Sequence, residues 1–317
     1  MDQQDLSSRA IMGMYFARLE TDPGSAWIDG ISNLFGSDQS GETYKFLGQT
    51  PAMREWIGGR QAKGFSGQGV TIVNKHYEAT IEVQKKDARR DKTGQLEARM
   101  SEFADRGQTH WASLLSTLLL NGASTVCYDG QYFFDTDHSE GDSGVQSNSI
   151  SVTISGLPAA VHGSTSAPSV EEMQQAILRG ISKMLEFKDD QGEPMNENAS
   201  RFLWVGPPSL YLTAVAAVST LTTAALQQNL NPNLIAGLTV DVRMNARLTS
   251  WTTKFALFRT DSPIKAFIRQ TEQELELKAK AEGSEFEFDN DAWQFGIDGW
   301  RGVGYGYWQR GILVTLA

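Results

Sequence analysis

The sequence contains little of what disulfide scaffolds, zinc centres and membrane anchors are built from. It has a single cysteine, Cys127, and four histidines in 317 residues. One thiol cannot form an internal disulfide, and no paired His or Cys spacing typical of zinc occurs. The most apolar run, Leu210–Leu226, is interrupted by serine and threonine, and the opening residues MDQQDLSSRA lack the parts of a secretory signal. We therefore expect a soluble protein with no membrane partner.

Positive charge is also scarce, whereas apolar residues are plentiful. Lys and Arg number 28 against 38 Asp and Glu, which gives a net charge of −10. Such a chain has no basic field to gather nucleic acid. The apolar share of 40%, with 8 Trp, 8 Tyr and 15 Phe, is enough for a sizeable core, and the length favours two structural units.

The first part of the chain combines two segments that lack a core of their own with one long helix. Residues 1–35 are predicted to form a short helix and an arm, and residues 36–80 a projecting hairpin with six glycines between Gly48 and Gly69. Apolar spacings of three and four predict a helix over 95–121, and Gly122 would be its left-handed C-terminal residue. The predicted apolar stripe consists of Leu96, Met100, Phe103, Gly107, Trp111, Leu114 and Leu118.

The remainder alternates strands and helices without an internal repeat. The pattern from Ser169 to Glu172 is a capping box that predicts a helix start, and Pro207-Pro208 opens another helix. Residues 264–288 are ambiguous by period alone, but the segments IKAFIRQ, ELELK and EFEFD, which begin at residues 264, 274 and 285, alternate apolar and polar positions, which predicts β structure. The fold class is therefore α+β.

The stretch YDGQYFFDTDH, residues 128–138, brings acids, an imidazole and aromatics together. A metal-dependent hydrolase could use its Asp129, Asp135, Asp137 and His138. As a calcium loop the stretch fails at the glycine and glutamate positions, which Glu140 and Gln146 occupy. We expect a tight turn at Asp129-Gly130, aromatics packed inward and the acids on a solvated loop. No catalytic, metal-binding or cofactor-binding residue is predicted.

The glycine-rich stretch GWRGVGYG, residues 299–306, lacks the spacing of a phosphate loop, and no helix pattern follows it. Glycines of this kind let strands approach closely. We expect the aromatics in and after it to fill a core, namely Trp300, Tyr305, Tyr307 and Trp308.

Several segments occur together in one order. They are LGQTPAMREWIGGR, IVNKHYEATIEV, KKDARRDKTGQ, LLLNG, YDGQYFFDTDH, EFKDDQGEP, LWVGPPSLY, ALFRTDSPIKAFIRQ and GIDGWRGVGYGYWQ. Their ordered co-occurrence, over nearly the whole chain, resembles the major capsid (major head) subunit family of Mu-like tailed bacteriophages. No single segment is diagnostic, and Ser139–Ser169 agrees least.

The resemblance implies the Hong Kong 97-type phage capsid fold. Residues 1–35 would be the N-terminal arm and residues 36–80 the extended hairpin, or E-loop. Residues 81–127 would form the peripheral domain with its spine helix at 95–121. The axial domain would be residues 128–283, and residues 284–317 would be return strands of the peripheral domain.

The resemblance also implies a function, that of a non-enzymatic major capsid protein without a cofactor. Such a protein self-assembles into hexamers and pentamers of an icosahedral head, which encloses double-stranded DNA and contacts it non-specifically. A separate scaffolding protein and a portal are the expected further partners, with a decoration protein as an additional candidate. The implied location is the virion, after assembly in the bacterial host cytoplasm.

The hairpin is where inter-subunit contacts are expected. Aromatic and basic residues usually anchor interfaces, and here they are Arg54, Trp56, Arg60, Lys63 and Phe65. Two alternatives stay open. One is a host encapsulating nanocompartment of the same fold, and the other is the metal-dependent hydrolase.

Overall fold

The computed structural model describes residues 7–19, 27–45, 69–91, 94–227 and 238–317. The helices in these ranges are α1 (Ser8–Leu19), α2 (Trp27–Ile31), α3 (Lys85–Arg90), α4 (Gln95–Gln108), α5 (His110–Asn121), α6 (Val170–Leu185), α7 (Pro208–Gln227) and α8 (Glu285–Asn290). The strands are β1 (Ser32–Gly36), β2 (Gly41–Tyr44), β3 (Val70–Val73), β4 (Lys75–Gln84), β5 (Ser149–Val152), β6 (Arg201–Gly206), β7 (Thr239–Met244), β8 (Lys254–Arg259), β9 (Phe267–Lys280), β10 (Ala292–Tyr305) and β11 (Gly311–Leu316). Among the described residues, no helix is both long and apolar enough to cross a membrane.

The strands of the described ranges form two larger sheets and a two-stranded ribbon. The first sheet has the order β1-β9-β10-β4 and the second β5-β11-β8-β6-β7, while β2 pairs with β3. The antiparallel strands β9 and β10, 14 residues each, dominate the first sheet. The second sheet is mixed, because β5 runs parallel to β11 and β6 parallel to β7. This mixture of helices and sheets confirms the α+β class.

Two strands pair across the segments assigned from the sequence. Strand β9 lies within residues 128–283, yet it pairs with β10 and β1 in the first sheet. Strand β11 lies within residues 284–317, yet it pairs with β5 and β8 in the second sheet. Each sheet thus combines distant parts of the chain, which strand periodicity alone does not reveal.

One segment predicted as β structure is a helix. The residues EFEFD alternate, but they form α8 between β9 and β10. The Ser284 side chain accepts a hydrogen bond from the Glu287 backbone N–H at 3.2 Å, which caps the helix, and Asp291 ends it with φ of 48°. Capping at both ends therefore outweighs the alternating pattern.

The predicted helix over 95–121 is two helices that meet at Thr109. The Thr109 hydroxyl donates to the Asp105 carbonyl oxygen at 2.9 Å, a local bond that competes with regular helix geometry. The buried stripe shifts at this point, because Leu115 and Leu119 are buried while Leu114 and Leu118 are half-buried.

Gly122 does not adopt the expected left-handed conformation, since its φ and ψ are −60° and −27°. A glycine is needed here for a steric reason. A Cβ atom at this position would lie 2.6 Å from the Phe134 ring.

The glycine-rich stretch belongs to β10, where close approach is confirmed. A Cβ on Gly302 or Gly304 would lie 2.8 Å or 2.5 Å from the Ile72 side chain of β3. Tyr305 and the two aromatics after it are buried as expected. Trp300 is not, because 36% of it is exposed and its ring stacks on His76 at 4.8 Å.

Within the described ranges, the buried apolar residues form two cores. The larger surrounds the second sheet and includes buried residues of α5, α6 and α7. The smaller lies between α1, α4 and the far ends of β4, β9 and β10, and its centre is formed by Ile11, Met100 and Phe295, each 0% exposed. The N-terminal helix therefore packs on its own chain's α4, where Arg18 and Asp105 form an ion pair at 2.6 Å.

Candidate functional site

The stretch 128–138 folds into a turn whose side chains separate into two groups. Tyr128, Phe133 and Phe134 are buried, as predicted, whereas Tyr132 is 44% exposed. Asp135 and Asp137 lie toward solvent. Asp129 and His138 do not, because their side chains are 1% and 0% exposed. The expectation that all the acids lie on a solvated loop is therefore wrong for Asp129.

Asp129 and His138 form a buried pair that joins the two ends of this turn. The Nδ1 atom of His138 lies 2.6 Å from an Asp129 carboxylate oxygen. The other carboxylate oxygen accepts hydrogen bonds from the Cys127 thiol at 2.9 Å and the Gln131 backbone at 3.1 Å. The imidazole also stacks on Trp308, with ring centroids 4.0 Å apart and planes at 8°.

Asn148 determines which atoms of His138 carry protons. Its amide nitrogen is surrounded by three carbonyl oxygens, of Phe133, Trp308 and Gly311. Its side-chain oxygen must then be the acceptor, and it receives the Asp135 N–H at 2.9 Å and the His138 Nε2 at 3.2 Å. Nε2 of His138 is therefore a donor, so any hydrogen bond between Nδ1 and Asp129 requires a further proton.

The hydrogen bonds of this network also govern the ionisation of Asp129. Burial opposes the ionisation of Asp129, but hydrogen bonds from His138, Cys127 and the Gln131 backbone outweigh it, so the pKa of the carboxyl is lowered. Asp129 is thus a carboxylate that accepts these hydrogen bonds. Burial, together with the charge of Asp129, raises the pKa of the Cys127 thiol, which keeps that thiol protonated and unreactive.

A second buried network lies beside the pair. The Glu140 carboxylate accepts hydrogen bonds from the Tyr128 hydroxyl at 2.5 Å and from the Trp308 indole at 3.1 Å. Gln309 donates to Tyr128 at 3.0 Å. Burial raises the pKa of Glu140. Asn148, Glu140 and Gln309 were missed at the sequence level, because their partners are distant in the chain.

The four candidate hydrolase residues do not form one site, although Asp129 and His138 are in contact. Among the described residues, the group close enough to hold a metal ion is Cys127, Asp129 and His138, with ligand atoms within 4.8 Å of one another. Asp135 does not belong to that group, and its carboxylate instead accepts backbone N–H groups of Tyr132 and Thr136. The group of three is held by its own hydrogen bonds, so its role in the structure is to fasten the turn to the second sheet.

The outer face of the first sheet presents a second arrangement, which we call the acidic row: Glu78, Asp298 and Glu276. Asp298 on β10 lies directly opposite Glu78 on β4 and Glu276 on β9. Both glutamates are exposed. Asp298 is contacted by Lys278 at 2.8 Å and His76 at 3.2 Å. Like charges opposite one another destabilise a sheet, so this row suits a surface that meets positive charge.

The hairpin base is described, but its tip is not. Strands β2 and β3 pair from Gly41–Val73 to Tyr44–Val70, and the Tyr44 hydroxyl bonds Gln270 of β9 at 2.8 Å. The hairpin therefore leaves the first sheet at a fixed position. The predicted contact residues lie outside the described residues, namely Arg54, Trp56, Arg60, Lys63 and Phe65.

Comparison with known proteins identifies relatives. The family model of the Mu-like prophage major head subunit gpT matches residues 13–162 and 236–315. The chain is 37% identical over 111 residues to the Mu-like prophage FluMu major head subunit of Haemophilus influenzae, covering 35% of this chain and 36% of the relative. It is 32% identical over 108 residues to the major capsid protein of Escherichia phage Mu, covering 34% of this chain and 35% of that protein. These alignments span about a third of each relative's length.

A solved structure shows the same fold. The procapsid of bacteriophage JBD30 is matched over 97% of this chain and 73% of that chain, with 22% identity and a TM-score of 0.53. This similarity confirms the phage capsid fold. Because the family model matches more than half of its residues, the chain belongs to the Mu-like prophage major head subunit gpT family.

Proposed function

We propose that this chain is a major capsid protein that self-assembles into hexamers and pentamers of an icosahedral head enclosing double-stranded DNA. The observation that carries the proposal is the family match across residues 13–162 and 236–315. This match favours a structural role over that of a metal-dependent hydrolase. It also favours a phage head over a host encapsulating nanocompartment. The use of Asp129 and His138 in a closed, buried network supports the same choice.

The architecture suggests how the subunit is divided. The first sheet with α4 and α5 would form the peripheral domain, and the second sheet with α6 and α7 the axial domain. Residues 1–35 would remain the arm and residues 36–80 the E-loop, except for the parts of β1 and β4 that belong to the first sheet. The ribbon of β2 and β3, which Tyr44 ties to β9, starts the hairpin. In this division β9 belongs to the peripheral domain and β11 to the axial domain.

The hairpin would act as a clamp between subunits. Between Gly48 and Gly69 it is glycine-rich and carries Arg54, Arg60 and Lys63, while the acidic row offers a complementary surface on another copy. Ordering such a segment costs about 1–2 kcal/mol of backbone entropy per residue, and the few aliphatic residues there cannot offset that cost within one subunit. A neighbour would supply the missing contacts through Trp56 and Phe65.

The wider assembly follows from this role. A separate scaffolding protein would guide shell size, a portal would occupy one vertex, and a decoration protein is a further candidate partner. Packaged DNA would be contacted non-specifically, which a net charge of −10 suits because the lining must not bind DNA tightly. Assembly would take place in the bacterial host cytoplasm and end in the virion.

Replacing the hairpin tests the proposal. The full chain and a variant with Pro51–Gly67 exchanged for a short Gly-Ser linker are each expressed with the candidate scaffolding protein and imaged by negative-stain microscopy. We expect closed shells from the first and none from the second, with unchanged circular dichroism of the isolated subunit. A Gln61→Ser/Ser66→Ala variant is the control and is expected to assemble like the unaltered chain.

Two results would contradict parts of this account. A sharp monomer mass for the unaltered chain at high concentration, with scaffold present and no particles, would contradict the capsid function. Normal shells from the linker variant, or outright unfolding of its isolated subunit, would contradict only the clamp role of the hairpin.

A further inference from the structure

The turn between β9 and β10 ends in an aromatic side chain that its own subunit does not cover. Phe286 and Phe288 are two residues apart on α8, so they point to opposite sides of the helix. Phe286 lies under the Lys280 ammonium group at 6.0 Å. Phe288 is 90% exposed, the largest exposed fraction among the large apolar side chains of the described residues. Aromatic residues are enriched in protein–protein interfaces, so a phenylalanine that its own subunit leaves uncovered is available as an interface anchor.

The segment around Phe288 is strongly acidic. Residues 285–291 contain four acids and no basic residue: Glu285, Glu287, Asp289 and Asp291. Lys85 of α3 pairs with Glu287 at 2.7 Å and lies 3.5 Å from Asp291. In the described part of the chain, Glu285 and Asp289 form no ion pair and both are exposed. Any surface that receives Phe288 must therefore also accept negative charge.

A groove of about 500 Å³ lies at the same end of the molecule, between the end of β4, α3 and α4. Its floor is apolar and consists of Ile81, Val83 and Leu96, which continue into the smaller core. Arg90 and Arg99 stand at its rim and are exposed. Neither guanidinium forms an ion pair within the described ranges, so both can receive an acidic partner.

The helix α3 beside the groove and the tip carry opposite net charge. Helix α3 carries four basic residues and one acid over residues 85–90, whereas the tip carries only acids. An aromatic ring in the groove would extend the smaller core, and an arginine over its face adds a cation–π contact. Glu82, Asp87 and Asp91 also line the groove. Glu82 already accepts a hydrogen bond from Gln84 at 2.8 Å, and the Asp91 carboxylate accepts the backbone N–H groups of Gln95 and Leu96 at the start of α4.

We propose that Phe288 of one copy docks in the Arg90–Arg99 groove of a second copy of this chain. Lys85 ties α8 to α3 within one subunit, and Phe288 remains exposed there, so the ring does not occupy its own groove. The tip and the groove are different surfaces, which makes the contact heterologous, and such contacts form rings of subunits where the rotation between copies closes. The inference rests on the capsid function proposed above.

Substitutions at the two surfaces test the contact in the assembling protein. Phe288→Ala and Arg90→Glu/Arg99→Glu are each expected to raise the subunit concentration needed for half-assembly about tenfold or more, as anchor residues do. Val145→Ala, at another side chain with 74% exposure, is the matched control and is expected to assemble normally. Combining Arg90→Glu/Arg99→Glu with Glu285→Lys/Asp289→Lys is expected to restore assembly.

Cross-linking distinguishes a contact between copies from an indirect effect. Phe288→Cys and Ile81→Cys chains are co-assembled and oxidised, and we expect a covalent dimer that contains one chain of each kind. The native Cys127 is buried and does not compete. Shells that form without this cross-link, or normal assembly of Phe288→Ala, would overturn the inference and leave the capsid function intact. Failure of the unaltered chain to assemble at all would contradict the capsid function itself.

Discussion

At the scale of single residues, His138 shows how a side chain that resembles a catalytic group can be structural. Its two ring nitrogens face Asn148 and Asp129, and its ring lies flat on Trp308. These three contacts connect the turn after α5 to the start of β5 and to the end of the chain. A buried ion pair is not a strong source of stability, but removing one partner leaves an uncompensated charge.

We therefore predict a large effect from truncating His138. His138→Ala leaves the Asp129 carboxylate buried without its hydrogen-bonding partner and is expected to lower the free energy of unfolding by about 3–5 kcal/mol. Asp137→Ala, one residue earlier on the exposed side of the turn, is the control and is expected to cost less than about 0.5 kcal/mol. Urea denaturation of the isolated subunit measures both. Equal stabilities of the two variants would show that the buried pair is not formed.

At the scale of elements, the helices and strands that local signals specify were predictable. The capping box from Ser169 to Glu172 is present with both hydrogen bonds, and α7 begins at Pro208 as its sequence indicates. The elements that depend on distant contacts were not. The end of the α5 stripe is set by packing against Phe134, and β11 finds β5 and β8 across more than fifty residues of chain. Periodicity carries no information about such partners.

The break at Thr109 gives a prediction that separates the sequence pattern from the structure. An unbroken helix would bury Leu114, but the rotated helix α5 buries Leu115, which is 0% exposed. Leu115→Ala is expected to lower the free energy of unfolding by about 2–5 kcal/mol. Leu114→Ala, a neighbouring and half-buried site, is expected to cost clearly less. If thermal or urea unfolding ranks the two variants in the opposite order, the buried stripe continues through α5 as the sequence alone suggested. The shift of the stripe at Thr109 would then be wrong.

At the scale of the whole molecule, the distribution of charge matters more than its sum. A net charge of −10 makes identical subunits repel one another. Assembly then requires local complementarity that outweighs this repulsion, and the chain offers it in two forms. The basic hairpin faces the acidic row in one proposed contact, and the basic α3 faces the acidic tip in the other. Weak, repeated contacts of this kind suit a shell that must correct errors before it closes.

The acidic row allows these two effects of charge to be separated. Glu78→Gln/Glu276→Gln removes two like charges that flank Asp298, so the isolated subunit is expected to be unchanged or more stable by about 0.2–1 kcal/mol.

Glu193→Gln/Glu197→Gln, the control variant, removes the same amount of charge at exposed positions away from the sheet. The control should assemble at least as readily as the unaltered chain, because overall repulsion falls. The row variant should need a higher subunit concentration, because it loses the surface that receives Arg54, Arg60 and Lys63. The assembly of the two variants is compared by light scattering at low ionic strength, where salt screens the charges least. If the row variant assembles as readily as its control, the row is not a contact surface and its charges only add to the repulsion.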